Sequence, residues 1–154
     1  MYQGISIINS TFFARLPELY AKVPASAIST IQLDWQPIGK LWLDASAKAG
    51  GNPLGLDASK VYLAYAEVVE WTDSQYDEVV MQWVEETTDA INAATKKAGL
   101  YDPFNYIGDA AGFQKIFPGY GPENHRRLVK IAQKYDPHAV FQSLMPGGFK
   151  VFEN

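Results

Sequence analysis

Between Ala27 and Gln36, Thr30, Gln32, Asp34 and Gln36 occupy every second position and alternate with Ile31, Leu33 and Trp35. In a strand, this pattern puts a hydroxyl, two amides and a carboxylate on one face and apolar side chains on the other. A carboxylate such as Asp34 can serve as a general acid or base when burial raises its pKa, and an amide such as Gln32 can polarise a carbonyl. A second extended run, Val61–Trp71, brings Tyr62 and Glu70 to the same face if its phase matches, with Glu70 as a second acid or base and Tyr62 as a second polarising donor. Tyr2 and Ser6 join from the amino-terminal run on the same condition. Together these residues describe an aromatic-walled pocket with hydrogen-bond donors and one or two carboxylates, suited to a small organic molecule. The competing reading is that they solvate an exposed sheet face.

Other polar residues carry weaker signals. Asp109 either caps a short helix beginning near Ala110 or points into the pocket. His125 falls one turn into a helix and reads as a surface residue, and His138 sits in a turn after Asp136-Pro137. Tyr101, Phe104 and Tyr106 either line a pocket mouth or pack beneath a loop.

The elements that must position these residues are organised around Val61–Gly99. Tyr76, Val79, Val80, Trp83, Val84, Ile91 and Ala94 share one helical face, which must be buried. Thr72 and Gln75 have capping-box spacing, and Asp73, Asp77 and Glu78 suit the positive end of the helix dipole. Lys96, Lys97 and Gly99 close the other end. The β-branched and aromatic run before this helix predicts a strand covered on both sides. Tyr2–Asn9 reads as a first strand, and Pro17 opens a short helix through Tyr20. Residues 38–56 read as a loop with helical character around Leu41, Trp42 and Ala45, ended by Gly50-Gly51-Asn52-Pro53. Pro122 begins a second helix with Leu128, Ile131, Ala132 and Tyr135 on one face, stopped at Asp136-Pro137. The expectation is an α+β fold with a mainly antiparallel sheet and helices packed on one face, spanning residues 1–154 as a single domain.

The totals exclude several classes. The 154-residue chain is long enough for a core without staples. It has no cysteine and only two separated histidines, which excludes disulfide and thiolate chemistry and predicts no metal site of the usual nitrogen and sulfur ligands. A net charge of -4 without a basic stripe argues against nucleic acid. No leader or membrane-length apolar run is visible, so the chain reads as an intracellular, cytoplasmic protein with no membrane partner.

The segments YQGIS at Tyr2–Ser6, NPLGLD at Asn52–Asp57, EWTDSQYDE around Trp71, GLYDPF at Gly99–Phe104, YGPEN at Tyr120–Asn124 and KYDPHAVFQSLMPGGFK at Lys134–Lys150 resemble, in the same order, the substrate-binding domain of fungal berberine-bridge-enzyme-like FAD-linked oxidoreductases. In that family an antiparallel sheet roofs a flavin held by a larger separate domain. The resemblance implies that the face carrying Thr30, Gln32, Asp34 and Gln36 is where substrate would lie. It covers essentially the whole chain but does not include the family's flavin-holding part. Gly108-Asp109 also stands where the family carries an Asn-Tyr pair that approaches the flavin. The resemblance therefore implies a flavin-free role with no bound cofactor: a cyclase, pericyclase or isomerase acting on a polyketide- or terpenoid-like intermediate of fungal secondary metabolism. Two alternatives stand beside it, a non-catalytic binding module or partner subunit of a flavoprotein, and an excised domain of an FAD-dependent oxidoreductase. A sheet face that has lost its flavin-side cover would be shut by a second copy, so a homodimer is expected.

Overall fold

Residues 2–152 are described by a computed structural model. Among them, α1 (Tyr2–Tyr20), β1 (Ile28–Ile38), α2 (Lys40–Lys48), β2 (Tyr62–Trp71), α3 (Asp77–Lys97), α4 (Pro122–Tyr135) and α5 (Val140–Ser143) follow one another, with 3-10 turns at Ala25–Ala27, Ser74–Tyr76 and Phe117–Tyr120. The architecture is α+β, with β1 and β2 forming a two-stranded antiparallel sheet against which helices pack. The chain divides into two compact units. The first runs to Pro37 and resumes over Leu63–Tyr101, and the second takes Ile38–Tyr62 and everything from Asp102.

The first unit corrects one expectation: Tyr2–Asn9 is not a strand but the opening of α1, which runs unbroken through Pro17 to Tyr20. Ile8, Phe12 and Leu19 are buried along one side of this helix, and that stripe outweighs the local alternation of Ile5 and Ile7. Pro17 lies on the exposed side. It forfeits one backbone hydrogen bond, a loss the buried stripe on either side of it sustains. α1 packs on α3, where the Phe12 ring meets Trp83 edge-on at 5.6 Å and the Trp83 indole donates to the Arg15 carbonyl at 3.0 Å. Val23, Ala27, Val80 and Ile91 complete this core, with Ile31, Leu33, Trp35, Tyr65, Val69 and Trp71 of the sheet packed against it.

The ends of α3 are built much as the sequence implied, with one change at the start. Thr72 does not cap the helix, and Tyr76, at the N-cap of α3, makes no side-chain cap hydrogen bond. Asp73 instead caps the 3-10 turn Ser74–Tyr76 that leads into α3, its carboxylate accepting from the Gln75 amide at 3.0 Å and from the Gln75 side chain. At the far end Gly99 has φ +69°, and the Gly99 and Leu100 amides donate to the Lys96 and Thr95 carbonyls. This Schellman closure requires the left-handed conformation that glycine adopts without strain.

Side-chain pairs set the register of β1 and β2. Trp35 lies against Tyr65 with ring centroids 6.1 Å apart, and Thr30 bonds to Glu70. The inward residues of β1 are Ile28 and then Ile31, Leu33 and Trp35.

In the second unit, residues 38–56 contain a true helix, α2, and its buried residue is Leu43, while Leu41 and Trp42 are exposed. Phe104 stacks on Tyr120, Phe117 meets Tyr120 edge-on, and α4 packs on the turn that carries Phe117 and Tyr120. α4 ends at Asp136, whose amide donates to the Ala132 carbonyl and whose carboxylate accepts from the Val140 and Phe141 amides at 2.8 and 2.9 Å, starting α5.

Candidate functional site

The sheet has an inner face against the helices and an outer face away from them. Thr30, Gln32, Asp34 and Gln36 of β1 and Ala64, Ala66, Val68 and Glu70 of β2 alternate with the core-facing Ile31, Leu33, Trp35, Tyr65, Val69 and Trp71, so they occupy the outer face. Two polar pairs form there. The Thr30 hydroxyl donates to the Glu70 carboxylate at 2.5 Å across the strands, and the Gln32 amide donates to the Asp34 carboxylate at 2.9 Å along β1. Gln32, Asp34, Gln36 and Glu70 are exposed and Thr30 is half-buried. The burial that an acid or base role for Asp34 or Glu70 depends on is thus not present in this state of the chain.

Of the remaining expected site residues, Tyr2, Ser6 and Asp109 are not on the sheet strands. Tyr2 and Ser6 are on the exposed side of α1, so they contribute no strand position to the sheet face. Tyr62 begins β2 in the same alternation as Ala64 and Glu70, and its hydroxyl accepts from the Asp57 amide at 2.8 Å. Asp109, in the second unit, ends an exposed turn, with its amide bonded to the Tyr106 carbonyl at 3.1 Å. No helix starts at Ala110, so the expected capping role has no helix to serve. His125 is half-buried instead of lying on the surface: its ring stacks on Phe117, and its Nε2 is 2.7 Å from the Val151 carbonyl, fastening the end of the described chain to α4.

The most perturbed acid was not among the expected residues. Glu67 lies in the inward phase of β2 with Tyr65, Val69 and Trp71. The Thr88 hydroxyl of α3 donates to its Oε1 at 3.0 Å, while Oε2 is buried with no hydrogen-bond partner. Burial pushes its pKa up to about 7, and the Thr88 hydrogen bond only partly opposes this. Burial likewise pushes the neighbouring Tyr65 phenol well up, with the Glu67 charge adding to the effect. A carboxyl held protonated near neutrality is the kind of group that acid–base chemistry uses. The signal in the sequence was parity: Glu67 is the one charged residue among Tyr65, Glu67, Val69 and Trp71.

Among the described residues, no three acidic or histidine side chains converge as a metal site, and no helix is long and apolar enough to cross a membrane.

Compared with known proteins, the chain is 32% identical over 163 residues to the FAD-dependent monooxygenase prx3 of Penicillium roqueforti, an alignment covering 99% of the chain and 30% of the relative. The chain is similar to fungal FAD-dependent monooxygenases. FUP4 of Fusarium proliferatum, another FAD-dependent monooxygenase, is 38% identical over 117 residues, covering 75% of the chain and 23% of the relative. The bifunctional solanapyrone synthase of Alternaria solani is 31% identical over 121 residues, covering 79% of the chain and 23% of the relative. The chain therefore spans less than a third of the length of these relatives. No protein-family model matches it, and no solved structure matches it.

The described residues do not fit the pyrophosphate of FAD. Such a group is held by backbone amides at a glycine-rich turn into a helix. The turn from β1 into α2 carries the single glycine Gly39. The turn into α3 carries Asp73, Asp77 and Glu78, and α4 starts Gly121-Pro122-Glu123, so acidic side chains meet any phosphate there.

Proposed function

We propose that the chain binds a small, largely apolar organic molecule of the polyketide or terpenoid kind in fungal secondary metabolism, serving as a substrate-binding part akin to that of the berberine-bridge-like oxidoreductases. The observation that carries this reading is the 32% identity to an FAD-dependent monooxygenase along 99% of the chain. The outer sheet face supplies the polar contacts: Thr30 with Glu70, and Gln32 with Asp34. In this proposal the chain acts as one substrate-domain-like whole. Breaking the Thr30–Glu70 pair by Thr30→Val with Glu70→Gln is expected to weaken binding of a cognate polyketide about tenfold, the usual effect of one lost hydrogen bond of roughly 1.4 kcal/mol. Calorimetric titration checks this, and unchanged affinity in the double variant would remove the sheet face from the site.

A second reading is favoured by the acidic helix starts, which suit no phosphate: catalysis without flavin, as a cyclase, pericyclase or isomerase that holds a flexible substrate near its reactive conformation. Its test is turnover of a linear polyketide intermediate, followed by mass spectrometry with and without added FAD. Conversion that needs FAD, together with flavin absorbance in the purified protein, would instead favour the flavoprotein reading.

The same proposal includes pairing of two copies through the outer face, where Ala64, Ala66 and Val68 are only half-buried. Light scattering at micromolar concentration should then give twice the 17.1 kDa of the chain, and a single-chain mass would exclude the dimer.

A further inference from the structure

The carboxyl of Glu67 sits in the seam where β2 packs on α3, with one oxygen bonded by Thr88 and the other buried without a partner. Among the described residues it takes part in none of the ion pairs. On its own strand the neighbouring titratable group is Tyr65. On β1 the register of Trp35 with Tyr65 places Leu33 beside it. From α3 only Thr88 reaches it, Glu85, Glu86 and Asp89 being at exposed positions. Arg15, the cation that α1 brings to α3, is already held by Thr87, Glu86 and Glu18.

We propose that Glu67 is a proton latch: with its carboxyl protonated the β2–α3 seam stays shut, and loss of that proton loosens the seam and opens the first unit. A neutral carboxyl needs only one good hydrogen bond in an apolar seam, whereas a carboxylate there has a single donor and no counter-charge. The latch is independent of any ligand on the outer face.

The sign follows from proton binding. The folded unit holds the proton up to about pH 7, whereas an ordinary carboxyl of pKa 4.5 releases it earlier. Between those values the folded state binds more protons, so stability falls as pH rises through the window and levels off above it. The opening constant is expected to rise about 300-fold from pH 4 to above pH 8 on account of this one group.

The test is urea unfolding of the full chain from pH 4 to 8.5, followed by tryptophan fluorescence, for the wild type, Glu67→Gln and Thr88→Val. Subtracting the Glu67→Gln profile removes the titration of every other group. The difference should show the rise in opening, with a midpoint between pH 4.5 and 7 and a plateau above 7. In Thr88→Val that midpoint should move upward, because the hydroxyl that favours the carboxylate is gone. If Glu67→Gln fails to fold, Glu67→Met is the substitute reference. Parallel wild-type and variant profiles, or a midpoint unmoved by Thr88→Val, would overturn the latch.

Discussion

Phe12→Ala is expected to destabilise the first unit by about 3–5 kcal/mol, the range for deleting a fully buried aromatic ring. Phe12 is completely enclosed. Its ring joins the core between α1 and α3, where it meets Trp83 edge-on, so its removal leaves a cavity that the two helices cannot close without moving past each other. A domain of ordinary stability has only about 5–15 kcal/mol in hand, so this one change removes a large share of it. Phe13→Ala is the matched control. The Phe13 ring touches Phe12 but is 52% exposed, and the cost should stay within about 1 kcal/mol. Urea midpoints of both variants check the pair. Equal losses would mean that this segment does not present a single buried helical stripe, and the reassignment of the amino-terminal run from strand to helix would fail with it.

That reassignment shows what local pattern can and cannot reveal. β1 was legible because Ile31, Leu33 and Trp35 face a core while Gln32, Asp34 and Gln36 face away, and a half-buried strand writes its period directly into the chain. α3 was legible because its buried stripe and both ends agree. α1 was not, because Ile5, Ile7 and Ile8 favour a strand locally while the deciding residues, Phe12 and Leu19, lie farther along, Leu19 beyond an apparent break at Pro17. Tertiary burial won over local propensity there.

The candidate site was legible in its outer-face pairs and illegible in its most perturbed acid. The pairs of Thr30 with Glu70 and Gln32 with Asp34 follow from two strands and their facing. Glu67 was overlooked because β2 is half-buried along nearly its whole length, which hides the alternation that would have exposed a carboxylate in the inward phase.

In the second unit the largest effect is expected at Gly55, where two separate constraints meet. Its φ of +74° is unfavourable for any side chain, and a Cβ built there would stand 2.2 Å from the Tyr120 carbonyl oxygen and 2.8 Å from its carbon. Left-handed strain alone costs about 1–2 kcal/mol. The clash is with backbone, which cannot rotate aside as a side chain would. Tyr120 is further held by its ring against Phe104 and Phe117 and by the Asn124 amide on its carbonyl at 2.9 Å, so yielding at this point disturbs the aromatic cluster and the start of α4 together. Gly55→Ala should therefore cost about 3 kcal/mol or more, within the range of mutations that combine strain with overpacking. Gly50→Ala isolates the conformational part, because Gly50 has φ +99° but nothing near its would-be Cβ, and about 1–2 kcal/mol is expected there. Unfolding midpoints of the two variants decide the matter. If Gly55→Ala proves no worse than Gly50→Ala, the 52–57 loop does not rest against Tyr120, and the aromatic cluster must be closed by something other than that loop.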